Sequence, residues 1–301
     1  MKFLKYWSVV LVYTITSCTL EKTDYEAEIA TVVTEYSAFR EVTSLKVEHY
    51  NICIESLNGT FYKGYNEIRV KVIDSKTNKA VVPTSVSFLP IMISTNDTKS
   101  SCPHQSNMEY KSAEGYFAGY SVFTDENDKG AWQINIKITI NNQLISGTQT
   151  ISVFSQDNKN LNMTTFIGND GEKYYIALIG PKKPKVSENE LIAGIYRYNQ
   201  PTMLNPNQYS FTEVKDYTLK LDPRMPEPSM GNHSSPNNKD LTQEQDGFYH
   251  GVVNYTMTGN WTLNLILLDT KGKLIKGSNV PKDFTPGVQG FKSDLFMDIL
   301  F

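Results

Sequence analysis

The chain reads as an all-β protein: two tandem immunoglobulin-like antiparallel β-sandwiches. Three observations predict this. The first is a repeat: Gly115-Tyr116-Phe117-Ala118-Gly119, followed by Phe123-Thr124 and Trp132-Gln133-Ile134-Asn135-Ile136, returns as Gly247-Phe248-Tyr249-His250-Gly251, then Tyr255-Thr256 and Trp261-Thr262-Leu263-Asn264-Leu265. The echo runs on to Gln143–Gly147 against Lys273–Gly277 and back to Asn66-Glu67-Ile68 against Asn189-Glu190-Leu191, which fixes two copies of one module. The second is a succession of short runs with period-two hydrophobicity, and the third is Gly, Asn, Pro and Asp between them with almost no helical spacing.

In chain order, residues 1–17 form a signal peptide, with Lys2 and Lys5 ahead of an apolar run too short to span a bilayer. Ile15-Thr16-Ser17-Cys18 resembles the lipobox of bacterial lipoproteins, in which the cysteine becomes a lipidated N-terminus; this makes Cys18 the candidate lipidation site. Residues 18–43 read as a tether with a short helical piece over 27–38. The first sandwich occupies 44–155, with strands expected at 46–54, 67–73, 85–89, 117–123 and 132–140. The second occupies 166–284, with strands at 174–179, 191–198, 216–221, 249–255 and 261–268 and a tight turn at Asn169-Asp170-Gly171. The polar stretch between Phe154 and Phe166 suggests a hinge. The tail, 285–301, carries Phe291, Leu295 and Ile299 at helical spacing and is expected to pack back as a short helix. Both repeat tryptophans are expected in the cores.

Composition sets limits on function. A net charge of −3 over 301 residues gives no positive field for phosphates, which argues against nucleic-acid binding. The four histidines, His49, His104, His233 and His250, are scattered, and no nucleophile elbow, phosphate loop or zincin motif occurs, so the chain reads as a non-enzyme. Besides Cys18, Cys53 and Cys102 are compatible either with a disulfide or with two free thiols.

The two copies differ most between their middle strands. In the second, Asp222-Pro223-Arg224-Met225-Pro226-Glu227-Pro228-Ser229-Met230-Gly231-Asn232-His233 has three prolines before Met230, which predicts a stiff loop or edge. It sets Met225 and Met230 where water is expected, and Met257 falls on the next hairpin. Thioethers stay unprotonated at any ordinary pH and, with one imidazole, suit Cu(I). Met225, Met230, His233 and Met257 therefore form a candidate copper site, or else the methionines cover the open end of the sandwich. In the first copy the loop Leu89-Pro90-Ile91-Met92-Ile93 and the run Cys102-Pro103-His104 offer Met92, Cys102 and His104 as a weaker second site, although the paired spacing of a zinc site is missing.

The run Pro223-x-Met225-Pro226 with Met230 and His233, then Gly247-x-Tyr249-x-Gly251 and Met257-Thr258-Gly259-x-Trp261, resembles the YtkA/FixH-like family of small extracytoplasmic immunoglobulin-like domains. The resemblance covers roughly 45–155 and 170–280 and is better in the second copy. It implies an envelope protein tied to copper handling or oxidase maturation. The expectation is thus a lipid-anchored protein of the bacterial cell envelope that holds or passes copper. The alternative is an interaction module whose sheet edges and proline-rich loop contact a partner envelope protein.

Overall fold

The computed structural model describes residues 38–156, 160–199 and 211–300. The signal segment, Cys18 and the proposed tether helix up to residue 37 lie outside the described residues. The fold is all-β, and its short 3-10 turns are Asn127–Lys129 and Pro228–Met230.

The N-terminal unit contains β1 (Phe39–Val47), β2 (Tyr50–Leu57), β3 (Phe61–Tyr62), β4 (Gly64–Asp74), β5 (Lys79–Val81) and β6 (Ser85–Ser94). It continues with β7 (Lys99–Ser101), β8 (Glu109–Lys111), β9 (Tyr116–Phe123), β10 (Gly130–Ile140), β11 (Gln143–Ile151) and β12 (Val153–Phe154). The C-terminal unit contains β13 (Met163–Ile167), β14 (Lys173–Gly180), β15 (Glu188–Tyr198), β16 (Phe211–Glu213), β17 (Thr218–Met225) and β18 (His233–Ser234). It ends with β19 (Lys239–Gln243), β20 (Tyr249–Asn254), β21 (Asn260–Leu268), β22 (Leu274–Lys276) and β23 (Phe296–Leu300).

In the N-terminal unit, sheet β1-β2-β4-β9-β8 faces sheet β11-β10-β6-β7. Alternation drives the packing: Ile52 and Ile54 of β2, Ile68 and Val70 of β4, and Ile134, Ile136 and Ile138 of β10 are all fully buried in one core. The C-terminal unit repeats the order as β13-β14-β15-β20-β19-β17-β21-β22, with β19 bonded to both β20 and β17 so that the two sheets join along one corner. At the equivalent corner of the N-terminal unit only a bridge forms, Ser87 to Asn107.

The repeat is thus structural down to single hydrogen bonds. Asn66 Nδ2 donates to the carbonyls of Tyr62 and Gly64 while its Oδ1 accepts from the Tyr62 amide. Asn189 does the same with Lys185, Ser187 and the Lys185 amide. Trp132 Nε1 donates to Asp125 O at 2.8 Å and Trp261 Nε1 to Met257 O at 3.0 Å, and both indoles are fully buried as core side chains.

Four expectations are corrected. A turn at Glu48, whose φ is 55°, splits the expected strand 46–54 into β1 and β2. The stretch read as the loop Leu89–Ile93 lies inside β6, and Asp222–Met225, read as a stiff loop, belongs to β17. Prolines are tolerated in both strands because Pro90 lies beyond the residues β7 covers, and Pro223 lies between the stretches paired by β19 and β18, so each occupies a sheet-edge position on that side. The tail forms a strand, not a helix: β23 pairs with β21, burying Met297, Ile299 and Leu300, while Phe291 stays exposed. β22 and β23 together occupy the place that β11 fills alone in the first unit, with the residues between them inserted as a long loop. Cys53 and Cys102 are both free and buried.

Candidate functional site

The methionine and histidine candidates of the C-terminal unit gather at one end of its core, around Trp261. Met225 closes β17, and the chain turns back through the Pro228–Met230 3-10 turn and two left-handed residues, Gly231 (φ 63°) and Asn232 (φ 53°). That reversal pairs His233 of β18 directly with Met225. The His233 ring lies 5.9 Å from the Trp261 ring, edge-on, and its Nε2 meets Thr256 Oγ1 at 2.8 Å. Met230 and Met257 are half-buried and pack against the same core. Met225 is 0% exposed, which corrects the expectation that water meets it; the alternation Leu219, Leu221, Pro223, Met225 turns its side chain inward. Only Met230, Met257 and His233 remain on the outer side of the rim. Among the described residues no group of three or more His, Cys, Asp or Glu side chains is arranged to hold a metal, so a metal ion at this rim depends on thioether sulfur.

The inserted loop between β22 and β23 lies alongside. Gly290 N donates to Pro226 O at 2.6 Å and Asn232 Nδ2 to Pro281 O at 3.2 Å. This loop exposes Phe284, Val288 and Phe291 by 44%, 54% and 69%.

The weaker set does not assemble in the same way. Met92 is packed in the N-terminal core together with Cys102. Burial pushes the Cys102 thiol up to about 12, and its Sγ sits 3.1 Å from Ser121 Oγ, so it is held as a neutral thiol. His104 lies instead at the wall between the two units. Its Nδ1 donates to Cys102 O at 2.7 Å, Nε2 accepts from Ser106 Oγ at 3.2 Å, and burial keeps the ring neutral by lowering its pKa.

That wall belongs to a cleft that sequence reasoning did not anticipate. A cavity of about 380 Å³ opens between the units, lined by the Ser101–His104 segment and Tyr120 on one side and by Tyr196, Asn199, Phe211, Thr212, Glu213 and Lys215 on the other. Tyr120 Oη donates to Glu213 Oε1 at 3.2 Å across the interface. Below it Val122, Tyr175, Ala177 and Tyr196 form a third apolar cluster, joined by Tyr65, Tyr198 and Phe211. Lys182 Nζ reaches Glu67 Oε2 at 2.6 Å, and Tyr65 and Tyr120 pack against Phe248. The one local signal is the density of tyrosine and phenylalanine in strands that already have a core on their other face.

No family model and no curated protein matches the chain. Among solved structures, a DUF4785 family protein from Legionella pneumophila subsp. pneumophila str. Philadelphia 1 is similar at 10% identity and a TM-score of 0.25. The match covers 76% of this chain and 56% of that one, so the chain spans just over half of its neighbour's length.

Proposed function

We propose that the protein is a lipid-anchored envelope protein, attached through Cys18, that binds a soft metal ion, copper as Cu(I), at the methionine and histidine rim of its C-terminal unit. One observation carries this reading: strand pairing sets His233 against Met225 while Met230 and Met257 pack at the same end of the core. Thioether and neutral imidazole are donors that favour Cu(I) over hard cations. Thr256 occupies His233 Nε2 and orients the ring, leaving Nδ1 as the donor atom for a metal. Met225, deep in the core, backs the site, and Met230 and Met257 supply sulfur from the rim. The chemistry is retention or transfer of the ion, and no substrate is transformed.

The test is Cu(I) affinity by chelator competition on the whole chain in mild detergent, comparing wild type with Met230→Ala/His233→Ala/Met257→Ala. Met225 is left intact because emptying a buried methionine site costs about 2–5 kcal/mol and confounds the result. A loss of at least about tenfold is expected, equivalent to ~1.4 kcal/mol; equal affinity in the two proteins removes the assignment.

A second reading, an assembly module, is favoured by the exposed Phe284, Val288 and Phe291 beside the rim. It predicts that Phe291→Ser abolishes crosslinking to an envelope partner while Cu(I) affinity is unchanged.

A further inference from the structure

We propose that the cleft between the two units is a binding site for a neutral, hydroxylated ring, a sugar residue, held by Glu213, Asn199 and Lys215 over the aromatic floor of Phe211 and Tyr120.

The cavity has the size and place of a ligand site. Its volume of about 380 Å³ falls within the range of small-molecule pockets, and domain interfaces are where such pockets concentrate. Both units contribute walls, so the site exists only in the two-unit protein.

Its chemistry selects the ligand class. Glu213 brings one negative charge and Lys215 one positive charge, and His104 is neutral, so the lining has no net charge to attract a strongly ionic ligand. The Glu213 carboxylate accepts only; it is already aimed by the Tyr120 hydroxyl on Oε1, and Oε2 takes a further donor. Asn199 Nδ2 donates to Thr212 Oγ1, which fixes the amide and leaves its Oδ1 as an acceptor. Lys215 makes no ion pair among the described residues and supplies donors only. A ligand satisfying this set donates to two acceptors, accepts from an ammonium and offers an apolar face to Phe211. Vicinal hydroxyls on a ring with axial C–H groups do all of this. A phosphate has too few protons to donate, and an alkylammonium has nothing to accept with.

The floor is rigid, which lowers the entropic cost of binding. Phe211 packs edge-on against Tyr175 and Tyr198 at 5.0 and 5.4 Å, and Tyr120 stacks on Tyr65 at 5.5 Å. Phe211 is thus held within the C-terminal unit, and Tyr120 by Tyr65 and, across the interface, by Phe248, before any ligand arrives.

The experiment uses the whole chain in a polyoxyethylene detergent, which carries no sugar. The probes are the methyl glycosides of glucose, galactose, mannose and N-acetylglucosamine, with glucose 6-phosphate, inorganic phosphate and glycine beside them, followed by saturation-transfer NMR and tyrosine fluorescence. At least one neutral glycoside is expected to bind with a Kd at or below about 10 mM. Glu213→Gln and Phe211→Ala are each expected to weaken it by about fivefold or more, as loss of a charge-assisted hydrogen bond or an aromatic platform predicts. His233→Ala, at the far rim, leaves it unchanged. Glu213 is exposed at a strand end, so Glu213→Gln keeps the fold. Absence of glycoside binding, binding insensitive to both cleft variants, or displacement of the glycoside by inorganic phosphate or glycine overturns the proposal.

Discussion

His250 sits half-buried between two carboxylates: Nδ1 is 2.9 Å from Glu190 Oε1 and Nε2 3.0 Å from Asp246 Oδ2. Both contacts are donations only when the ring is an imidazolium. Burial opposes that charge, but the two acidic partners outweigh it, and the pKa of His250 is raised. A raised folded-state value has a definite sign: the contribution is fully present below the unfolded value of ~6.5 and is lost as pH rises through the folded value. Its size is modest, below about 1 kcal/mol, because Glu190 and Asp246 are largely in water. His250→Gln is therefore expected to melt below wild type at pH 5.5 (a gap of a few degrees) and to approach it at pH 9; a gap independent of pH refutes the pairing. A second prediction tests the repeat. Asn66 and Asn189 each tie down the backbone ahead of an equivalent strand with three hydrogen bonds, and both are buried. Replacement by Ala leaves those backbone groups without partners and is expected to cost about 1–3 kcal/mol in either unit. Urea unfolding of the two variants checks this, and a cost confined to one of them shows that the motifs are not equivalent.

The elements differ between units at the last strand, and that difference decides where the C-terminal unit is vulnerable. β11 is continuous in the first unit; in the second its role is shared by β22 and β23, with the chain leaving the sheet at Gly277. There φ is 107°, and a Cβ would stand 2.2 Å from Leu265 O, so Gly277→Ala cannot be accommodated without moving β21. A chain ending at residue 294 loses Leu295, Met297, Ile299 and Leu300, all buried. At about 1.5–3 kcal/mol per buried side chain, that deficit matches or exceeds the stability of a domain of this size, so the truncated protein is expected to lose the near-ultraviolet signal of Trp261 while keeping that of Trp132. Unchanged spectra contradict the pairing of β23 with β21. This architecture was only partly legible from sequence. Period-two runs, the Gly-x-x-x-Gly strand and the paired tryptophans marked the longer central strands and both core indoles, because those signals are local, but not β11, β13, β19 or the short edge strands. Pro90 and Pro223 concealed the continuation of β6 and β17, since a proline marks a strand end unless the neighbouring strand happens not to cover it. The four-residue spacing of Phe291, Leu295 and Ile299 imitated a helix, although only Leu295 and Ile299 are buried and they belong to a strand and its lead-in. Met225 was misplaced for the same reason as β17: with Pro223 taken as a break, its two-residue offset from Leu221 and Pro223 went unread, although that offset puts it in the core. The cleft left one local trace, the density of tyrosine and phenylalanine on outward strand faces, but its pairing was not legible: Tyr120 and Glu213 lie 93 residues apart, and nothing near either one marks the other.

At the scale of the whole molecule, the question is what couples the two units, because inter-domain mobility is the default unless the interface is large and apolar. Two kinds of contact are present. The ion pair of Lys182 with Glu67 is short, and Lys182 and Arg69 together hold the Glu67 pKa down against the burial that would raise it. A depressed value means that this contribution is present above the unfolded value of ~4.3 and is lost as pH falls through the folded one. With Lys182 39% and Glu67 24% exposed, solvent screening keeps it to about 1 kcal/mol or less. The aromatic contacts are the stronger term: half-buried Tyr65 packs on Tyr120 and Phe248 over the cluster of Val122, Tyr175 and Tyr196, and removing its ring costs about 2–3 kcal/mol. The magnitudes predict an order. In calorimetry at pH 7, Lys182→Met is expected to retain one cooperative transition slightly below wild type, whereas Tyr65→Ala separates the units into two transitions. Lowering the pH below the depressed folded-state value of Glu67 brings wild type and Lys182→Met together but leaves Tyr65→Ala distinct, because the ring does not titrate with that carboxylate. If Lys182→Met splits the transition and Tyr65→Ala does not, charge and not aromatic packing joins the two units, and the rigid floor assigned to the cleft loses its support.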